Sequence, residues 1–411
     1  MQANPRLADV TERTLQEIGR LGLCSELNCQ YRRTYDRLKN YARGRNVDSY
    51  STELLGCFLA EIAQRYKSGA IGHSRRNHLR RASLLLRDYV ENERLEWRTY
   101  RDVSQPMPSS HQFLRLHSQY IESLKSDGRS ESTIASSRNL VRQFLLFLDD
   151  NGYGGLSETP LEMVPSFFQH LLAMYQPTSI RTVASHIRTF LEFADGGERF
   201  LPLIPSRCVR NKPIIPVLSD HEYAALKRVL QSPDVPLRDK AIIHLALRTG
   251  LRSVDIVRMK LSDIDWVNDT IAVAQSKTGR PFRIPLSADV GNHLSSYILI
   301  ERPRTDTPYV FLRSQAPHRA LSGHAACYAL VRKSFARAGI RLGRERKGLH
   351  VIRHSLASRM LSRGVPITTI SSVLGHANKA STDVYLATDE PRMRECGLPL
   401  AEISMNCGGL R

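Results

Sequence analysis

Residues 350–385 read HVIRHSLASRMLSRGVPITTISSVLGHANKASTDVY. Apolar positions at helical spacing predict one helix from His350 to Ser362 and a shorter one from Ile367 to Val373. The cations and hydrogen-bond donors gather at the ends of these elements. His350 and Arg353 open the first helix, with His354 next to Arg353. Leu374-Gly375-His376 follows the second helix, and Tyr385 stands nine residues beyond His376 (385 − 376 = 9).

The same bias continues toward the N-terminus. Ala241 to Leu247 is an apolar helical run interrupted by His244, and it stops at Gly250, where a glycine C-cap is expected. The box Thr249-Gly250-Leu251-Arg252 therefore puts an arginine just past a helix C-terminus. Ile271 and Val273 alternate with small or polar neighbours, and Phe282, Ile284 and Leu286 alternate again. Between them Ser276-Lys277-Thr278-Gly279-Arg280 predicts the turn of a β-hairpin with Lys277 in it. Ser219-Asp220-His221-Glu222 is a capping-box opening for a helix carrying Tyr223, Leu226 and Leu230. Further helices are expected at about 288–301 and 322–338.

Taken singly, each of these polar residues has an ordinary explanation. Arg252 suits a helix C-terminus, Lys277 a solvated turn, and Tyr385 a half-buried core. His350 and His354, spaced i and i+4, could offer a metal two ligands from one helix face. The zinc-protease pattern, however, needs Glu where Val351 stands, so no metal is assigned. The ordered set is more informative. Two arginines can neutralise the non-bridging oxygens of a phosphodiester through their planar guanidinium groups. A tyrosine hydroxyl can serve as a covalent nucleophile. A lysine in a flexible turn can protonate a leaving oxygen. Histidines can donate to the phosphate or take the phenolic proton. No carboxylate cluster suited to Mg²⁺ is evident, and the chemistry calls for no cofactor.

Composition agrees. The 411 residues carry 59 Lys and Arg against 40 Asp and Glu, so the formal charge is 59 − 40 = +19. This surplus favours a polyanionic partner, nucleic acid first. No apolar stretch approaches the roughly 20 residues needed to span a bilayer, and the residues after Met1 do not read as a secretory signal. Seven scattered cysteines without C-x-x-C spacing suggest reduced thiols and a cytoplasmic protein.

Punctuation separates three regions. Ser104-Gln105-Pro106-Met107-Pro108-Ser109-Ser110 reads as a linker, and Pro205, Pro213 and Pro216 as an extended connector. The first two regions are helical by periodicity, as in Leu140, Phe144, Phe147 and Leu148. An internal repeat at an offset of 105 sets Ser74-x-Arg76 on Ser179-x-Arg181 (179 − 74 = 105) and Leu85-Leu86 on Phe190-Leu191. Duplication of a small helical domain competes with two unrelated helical domains as its explanation. The chain as a whole is expected to be mainly α with a smaller β component, an α+β protein.

From about 215 to 395 the chain resembles the catalytic domain of the tyrosine recombinase (phage integrase) family. Arg252 matches the first arginine and Asp255 the acidic residue three positions on. Lys277 matches the hairpin lysine, His350-x-x-Arg353 the His-x-x-Arg box, Leu374-Gly375-His376 the Leu-Gly-His box, and Tyr385 the nucleophile. The resemblance implies a catalytic set of Arg252, Lys277, His350, Arg353, His376 and Tyr385, with no metal or other cofactor. It implies three domains: 1–105, a helical and additional DNA-binding domain; 106–210, a helical core-binding domain; and 211–411, a catalytic domain with a small antiparallel sheet. Attack by Tyr385 would leave a 3′-phosphotyrosyl link and a free 5′-hydroxyl. The implied partners are double-stranded DNA with inverted-repeat core sites, a homotetramer on that DNA, and accessory DNA-bending proteins. Integration, excision or transposition of a DNA element would follow. Leu398-Pro399-Leu400-Ala401-Glu402-Ile403 would dock on a neighbouring subunit. A type IB-like topoisomerase and a catalytically inactive, sequence-specific DNA-binding protein remain as alternatives.

Overall fold

The computed structural model describes residues 5–95, 97, 100, 106–206, 215–274, 281–321, 323–375 and 385. The chain divides into two compact units, Met1–Tyr100 with Ile214–Arg411, and Arg101–Pro213.

The N-terminal part of the first unit is four amphipathic helices, α1 (Leu7–Arg20), α2 (Ser25–Arg43), α3 (Thr52–Lys67) and α4 (His73–Asn92). Their apolar stripes meet in a core that includes Ile18, Tyr31, Tyr35, Leu38, Phe58, Leu85 and Leu86. Ser51 caps α3, its Oγ accepting from the Leu54 amide at 3.0 Å. Two of the basic residues here have structural work. Arg81 lies over the Trp97 ring at 4.0 Å, and Arg80 Nη1 donates to the Tyr100 carbonyl at 3.0 Å.

The second unit is again four helices, α5 (His111–Ser126), α6 (Glu131–Asp150), α7 (Met163–Met174) and α8 (Pro177–Phe193). Residues 106–110, expected as linker, are fixed to it. Arg142 Nη1 donates to the Pro106 carbonyl at 2.7 Å, and Asp149 accepts from the Ser109 and Ser110 amides at 2.7 and 3.1 Å. Ser110 also caps α5.

The buried positions of the two bundles correspond helix by helix. In α1 and α5, Leu7, Thr11, Thr14 and Ile18 become Phe113, His117, Tyr120 and Leu124, at an offset of 113 − 7 = 106. In α2 and α6, Tyr31, Tyr35, Leu38 and Ala42 become Ser137, Val141, Phe144 and Leu148 at the same offset. Leu55, Phe58 and Ile62 of α3 become Val164, Phe167 and Leu171 of α7 at 164 − 55 = 109, across a longer loop. Leu79, Ala82, Leu85 and Leu86 of α4 become Ala184, Ile187, Phe190 and Leu191 of α8 at 184 − 79 = 105. Helical periodicity alone repeats every 3.6 residues and does not dictate one order of four helices with matched registers. This is the pattern that duplication of a small helical domain would leave, and two unrelated amphipathic bundles share its i, i+4, i+7 spacing.

The C-terminal part of the first unit opens with α9 (Asp220–Gln231), α10 (Leu237–Thr249) and α11 (Ser253–Arg258). The capping box expected at Ser219 is present: its Oγ accepts from the Glu222 amide, and Glu222 accepts from the Ser219 amide. Strands β1 (Ile264–Asp265), β2 (Thr270–Ala274) and β3 (Pro281–Pro285) form an antiparallel sheet in the order β1-β2-β3. Ile271 pairs with Ile284 across the expected hairpin, and β1, which two residues of sequence could not announce, pairs Ile264 with Ile271. Then come α12 (Ala288–Ser296), extended by a π turn at Tyr297–Glu301, and α13 (Gly323–Arg337), α14 (Leu349–Ser362) and α15 (Ile367–Leu374). Helix α10 is central. Ala241, Ile242, Ile243, Leu245 and Ala246 are each at most 1% exposed, and α10 packs on both α12 and α14. Among the described residues no helix is long and apolar enough to cross a membrane.

Candidate active site

Two helix C-termini meet at one place. Helix α10 ends at Gly250 (φ +64°) and α15 at Gly375 (φ +61°), both left-handed, a conformation glycine adopts without the cost a Cβ would bring. At Gly250 a Cβ would also come within 2.8 Å of Leu374 Cδ2. The positive φ is what favours glycine here, and a side chain would in addition have to displace the Leu374 methyl. The Thr-Gly-Leu-Arg and Leu-Gly-His boxes use one device, a glycine stop that turns helix-terminal carbonyls toward a common centre.

Arg353 occupies that centre from the first turn of α14. It is 4% exposed. Its Nη1 donates to the Gly250 carbonyl at 2.6 Å and its Nη2 to the Leu374 carbonyl at 2.8 Å. The guanidinium thus bridges the negative ends of two helices. Arg252, N-cap of α11, reaches the same place, with Nη2 3.4 Å from the Gly375 carbonyl. Its Nη1 is buried and has no hydrogen-bond partner among the described residues. Burial, and after it the charge of Arg252, lowers the pKa of Arg353 to about 10. Two guanidinium groups are therefore held close together in a poorly solvated place, with a donor left over. An anion would relieve both conditions. Asp255, buried on α11, is among the charges acting on Arg353.

Tyr385 lies against this pair, 1% exposed, in a small apolar cluster with Ile215, Ala357, Leu361, Ile370 and Leu374. Burial raises its pKa, and the charge and hydrogen bond of Arg353, then the charge of Arg252, oppose that rise. His354 Nδ1 is 3.0 Å from the Tyr385 hydroxyl. Arg353 can only donate to the phenolic oxygen, and with the imidazole proton on Nε2 the phenol donates its own proton to His354 Nδ1. Burial, followed by the charges of His350, Arg353 and Arg346, lowers the His354 pKa to about 4, so the ring is neutral at pH 7. Sequence reasoning weighed His354 only as a metal ligand. Its position beside Arg353 was the available signal. The Tyr385 contact spans 31 residues and has no spacing signature.

His350 is at the solvent-facing side of the site. Desolvation by its packed neighbours, then the charges of His324, Arg353 and Arg252, lowers its pKa. His324, on α13, was not singled out from the sequence. Its ring centroid is 5.5 Å from that of His350, and its Nδ1 is 3.3 Å from Ser253 Oγ. Arg252, His350, Arg353 and Tyr385 are thus brought together. Lys277 and His376 lie outside the described residues, as does the segment 398–403.

The His354 shift has a consequence for stability. The native state resists protonation down to about pH 4, while the unfolded chain takes up the proton near pH 6.5. Its contribution is therefore complete above pH 6.5 and declines as pH falls from there to 4. Between pH 7 and pH 5 the loss is at most about 2 kcal/mol from this residue. Urea unfolding of His354→Gln should show a shallower loss over that interval than the parent protein. Equal losses would mean that His354 is not the group excluded from protonation.

The Phage integrase family model matches residues 216–392. The chain is 33% identical over 298 residues to the putative integrase/recombinase y4rA of Sinorhizobium fredii (strain NBRC 101917 / NGR234), covering 69% of this chain and 70% of that protein. It is 26% identical over 263 residues to the tyrosine recombinase XerA of Pyrococcus furiosus (strain ATCC 43587 / DSM 3638 / JCM 8422 / Vc1), covering 63% and 87%. Its fold is similar to that of the XerH site-specific recombinase bound to a palindromic difH substrate in a post-cleavage complex. There the TM-score is 0.56 at 17% identity, over 84% of this chain and 95% of that one. With a third of the aligned residues identical across more than two thirds of y4rA, and with the family model matching residues 216–392, the chain belongs to the phage integrase family of tyrosine recombinases.

Proposed function

We propose that the protein is a site-specific DNA recombinase that breaks and rejoins strands through a 3′-phosphotyrosyl intermediate, in integration, excision or transposition of a DNA element. The observation that carries this reading is the convergence of Arg252, Arg353 and the Tyr385–His354 pair, with a buried guanidinium donor directed at no acceptor among the described residues. A scissile phosphate supplies the missing acceptor. Both arginines bind its non-bridging oxygens and stabilise the charge of the pentavalent transition state. Tyr385 Oη attacks phosphorus and its proton passes to His354 Nδ1. The 5′-oxygen leaves with a proton from Lys277, and His350 and His376 donate to the phosphate. One phosphodiester is exchanged for another, so no external energy is needed. A partner strand's 5′-hydroxyl reverses the step.

Exchange between two duplexes involves four strands and hence four protomers, and inverted-repeat core sites present two of them symmetrically on each duplex. Residues 398–403 dock on the neighbouring subunit in this assembly, with accessory proteins bending the DNA, in the cytoplasm at the nucleoid. A suicide DNA substrate, made once with oxygen and once with sulfur at the bridging 5′ position, tests the reading. The parent protein should trap a covalent adduct, and Lys277→Ala should cleave the sulfur substrate far better than the oxygen one. Absence of any adduct would favour an inactive DNA-binding protein. Relaxation of supercoiled DNA lacking a specific site would favour a topoisomerase.

The first 105 residues, in this reading, add a second DNA-binding domain beside residues 106–210, with 211–411 catalytic. Support comes from the matched core registers of the two bundles and from Arg37, Arg65 and Arg75, exposed on α2, α3 and α4. After desolvation, the charges of Arg75 and Arg65 lower the pKa of Arg37, which marks a like-charged patch. Alanine at all three positions of the full chain should reduce the dependence of log affinity on log salt by about 0.9 for each phosphate that is no longer neutralised. An unchanged slope would make this bundle a protein-interaction domain.

A further inference from the structure

His244 is the residue that interrupts the apolar run of α10, and the chemistry above makes no use of it. Its side chain is 12% exposed and faces α12. There Asp289 and His293 stand at i and i+4, the spacing that sets two ligands on one helix face. His244 Nδ1 is 3.4 Å from Asp289 Oδ2, and His293 Nε2 is 3.7 Å from Asp289 Oδ1. The three potential ligand atoms lie within 4.8 Å of one another. A tetrahedral ion with bonds of about 2.0–2.1 Å has ligand atoms roughly 3.4 Å apart. The spacing is therefore already close to what such an ion needs.

We propose that His244, Asp289 and His293 form a binding site for a Zn²⁺-class transition-metal ion, completed by water, that clips α10 to α12. Two imidazoles and one carboxylate suit Zn²⁺, Ni²⁺ or Cu²⁺, whereas Mg²⁺ and Ca²⁺ prefer sites built from oxygens. Desolvation lowers the pKa of both histidines against the opposing charge of Asp289, with His293 adding to the fall at His244 and Lys240 at His293. Arg248 opposes the ion, since its Nε donates to Asp289 Oδ2 at 2.9 Å. Its side chain is half exposed and can leave into water. The clip joins the helix that ends at Gly250, two residues before Arg252, to the helix that follows β3. Its role is structural, because the site is built from side chains that take no part in the phosphate centre.

Co²⁺ titration of the tag-free, chelator-treated full chain, in a reductant that does not bind metal, tests this. One equivalent should bind with the visible bands of a four- or five-coordinate ion and without thiolate-to-cobalt charge transfer. Zn²⁺ should displace it and raise the Tm. In His293→Gln, and separately in Asp289→Asn, affinity should fall at least tenfold, while the far-UV spectrum and the Tm in chelator match the parent. Absence of saturable binding overturns the proposal. So does a thiolate band, which would place the ion on cysteine, and so does parental affinity in a folded variant. If one variant fails to fold, the other decides by the same criterion.

Discussion

Tyr385→Phe should form no covalent adduct with a suicide DNA substrate while binding the same DNA nearly as well as the parent. The substitution removes one oxygen, the atom that makes the new bond to phosphorus. The ring remains to fill the cluster of Ile215, Leu361, Ile370 and Leu374. Arg353 keeps its bonds to the Gly250 and Leu374 carbonyls, so the phosphate-binding centre survives. The loss should be total within detection, since phenylalanine offers no oxygen with which to form the ester. The check is denaturing gel electrophoresis of the adduct beside a filter-binding isotherm. An adduct that persists would place the nucleophile elsewhere, with Tyr309 or Tyr328 next to examine.

The second large effect is at Arg353. Arg353→Lys should lower the cleavage rate by about 10²–10³, the usual effect of removing one preorganised donor from an oxyanion site. Lysine brings charge but not a planar fork, and here the fork is committed in two directions, to the carbonyls of Gly250 and Leu374. Leaving one of these buried acceptors unsatisfied should also reduce stability by about 1–3 kcal/mol. Arg252→Lys, at a half-buried position with a single long bond to Gly375, should lose rate with a smaller loss of stability. Single-turnover cleavage and urea unfolding measure the two effects separately. Near-parental cleavage in Arg353→Lys would contradict a bidentate role.

Much of this architecture is legible locally. The capping box at Ser219, the glycine stop at Gly250, the alternation through Ile271 and Ile284 and the helix from 349 to 362 each arise from interactions within a few residues, and each is found in the structure. Strand β1 escapes because two residues cannot show an alternation, and Ile264 joins the sheet only through a partner seven residues away. The correspondence between the two bundles is half visible. The offset of 105 holds in α4 and α8 but shifts to 106 and 109 where loop lengths differ, so a single-offset comparison loses the other helices. At the site, the sequence order of Arg252, His350, Arg353 and Tyr385 is the legible feature, helped by Arg252 standing at the N-cap of α11 and His350 in the first turn of α14. The hydrogen bond between Tyr385 and His354 is set by tertiary packing, and no periodicity encodes it.

In the proposed reaction the burial of Tyr385 would act as a safety catch. Tyr385 is 1% exposed as a residue and packs in an apolar cluster, with its hydroxyl beside His354. For a scissile phosphate to meet that hydroxyl, DNA binding would have to supply the free energy that exposes it. Only the armed fraction of molecules engages the scissile bond, so apparent affinity for productive binding is reduced by that fraction. Loading onto the proper site and acquiring the power to cut then become one thermodynamic event. A strand broken at the wrong place is the hazard of any nuclease-like chemistry, and an attacking group kept out of solvent would limit it before catalysis begins.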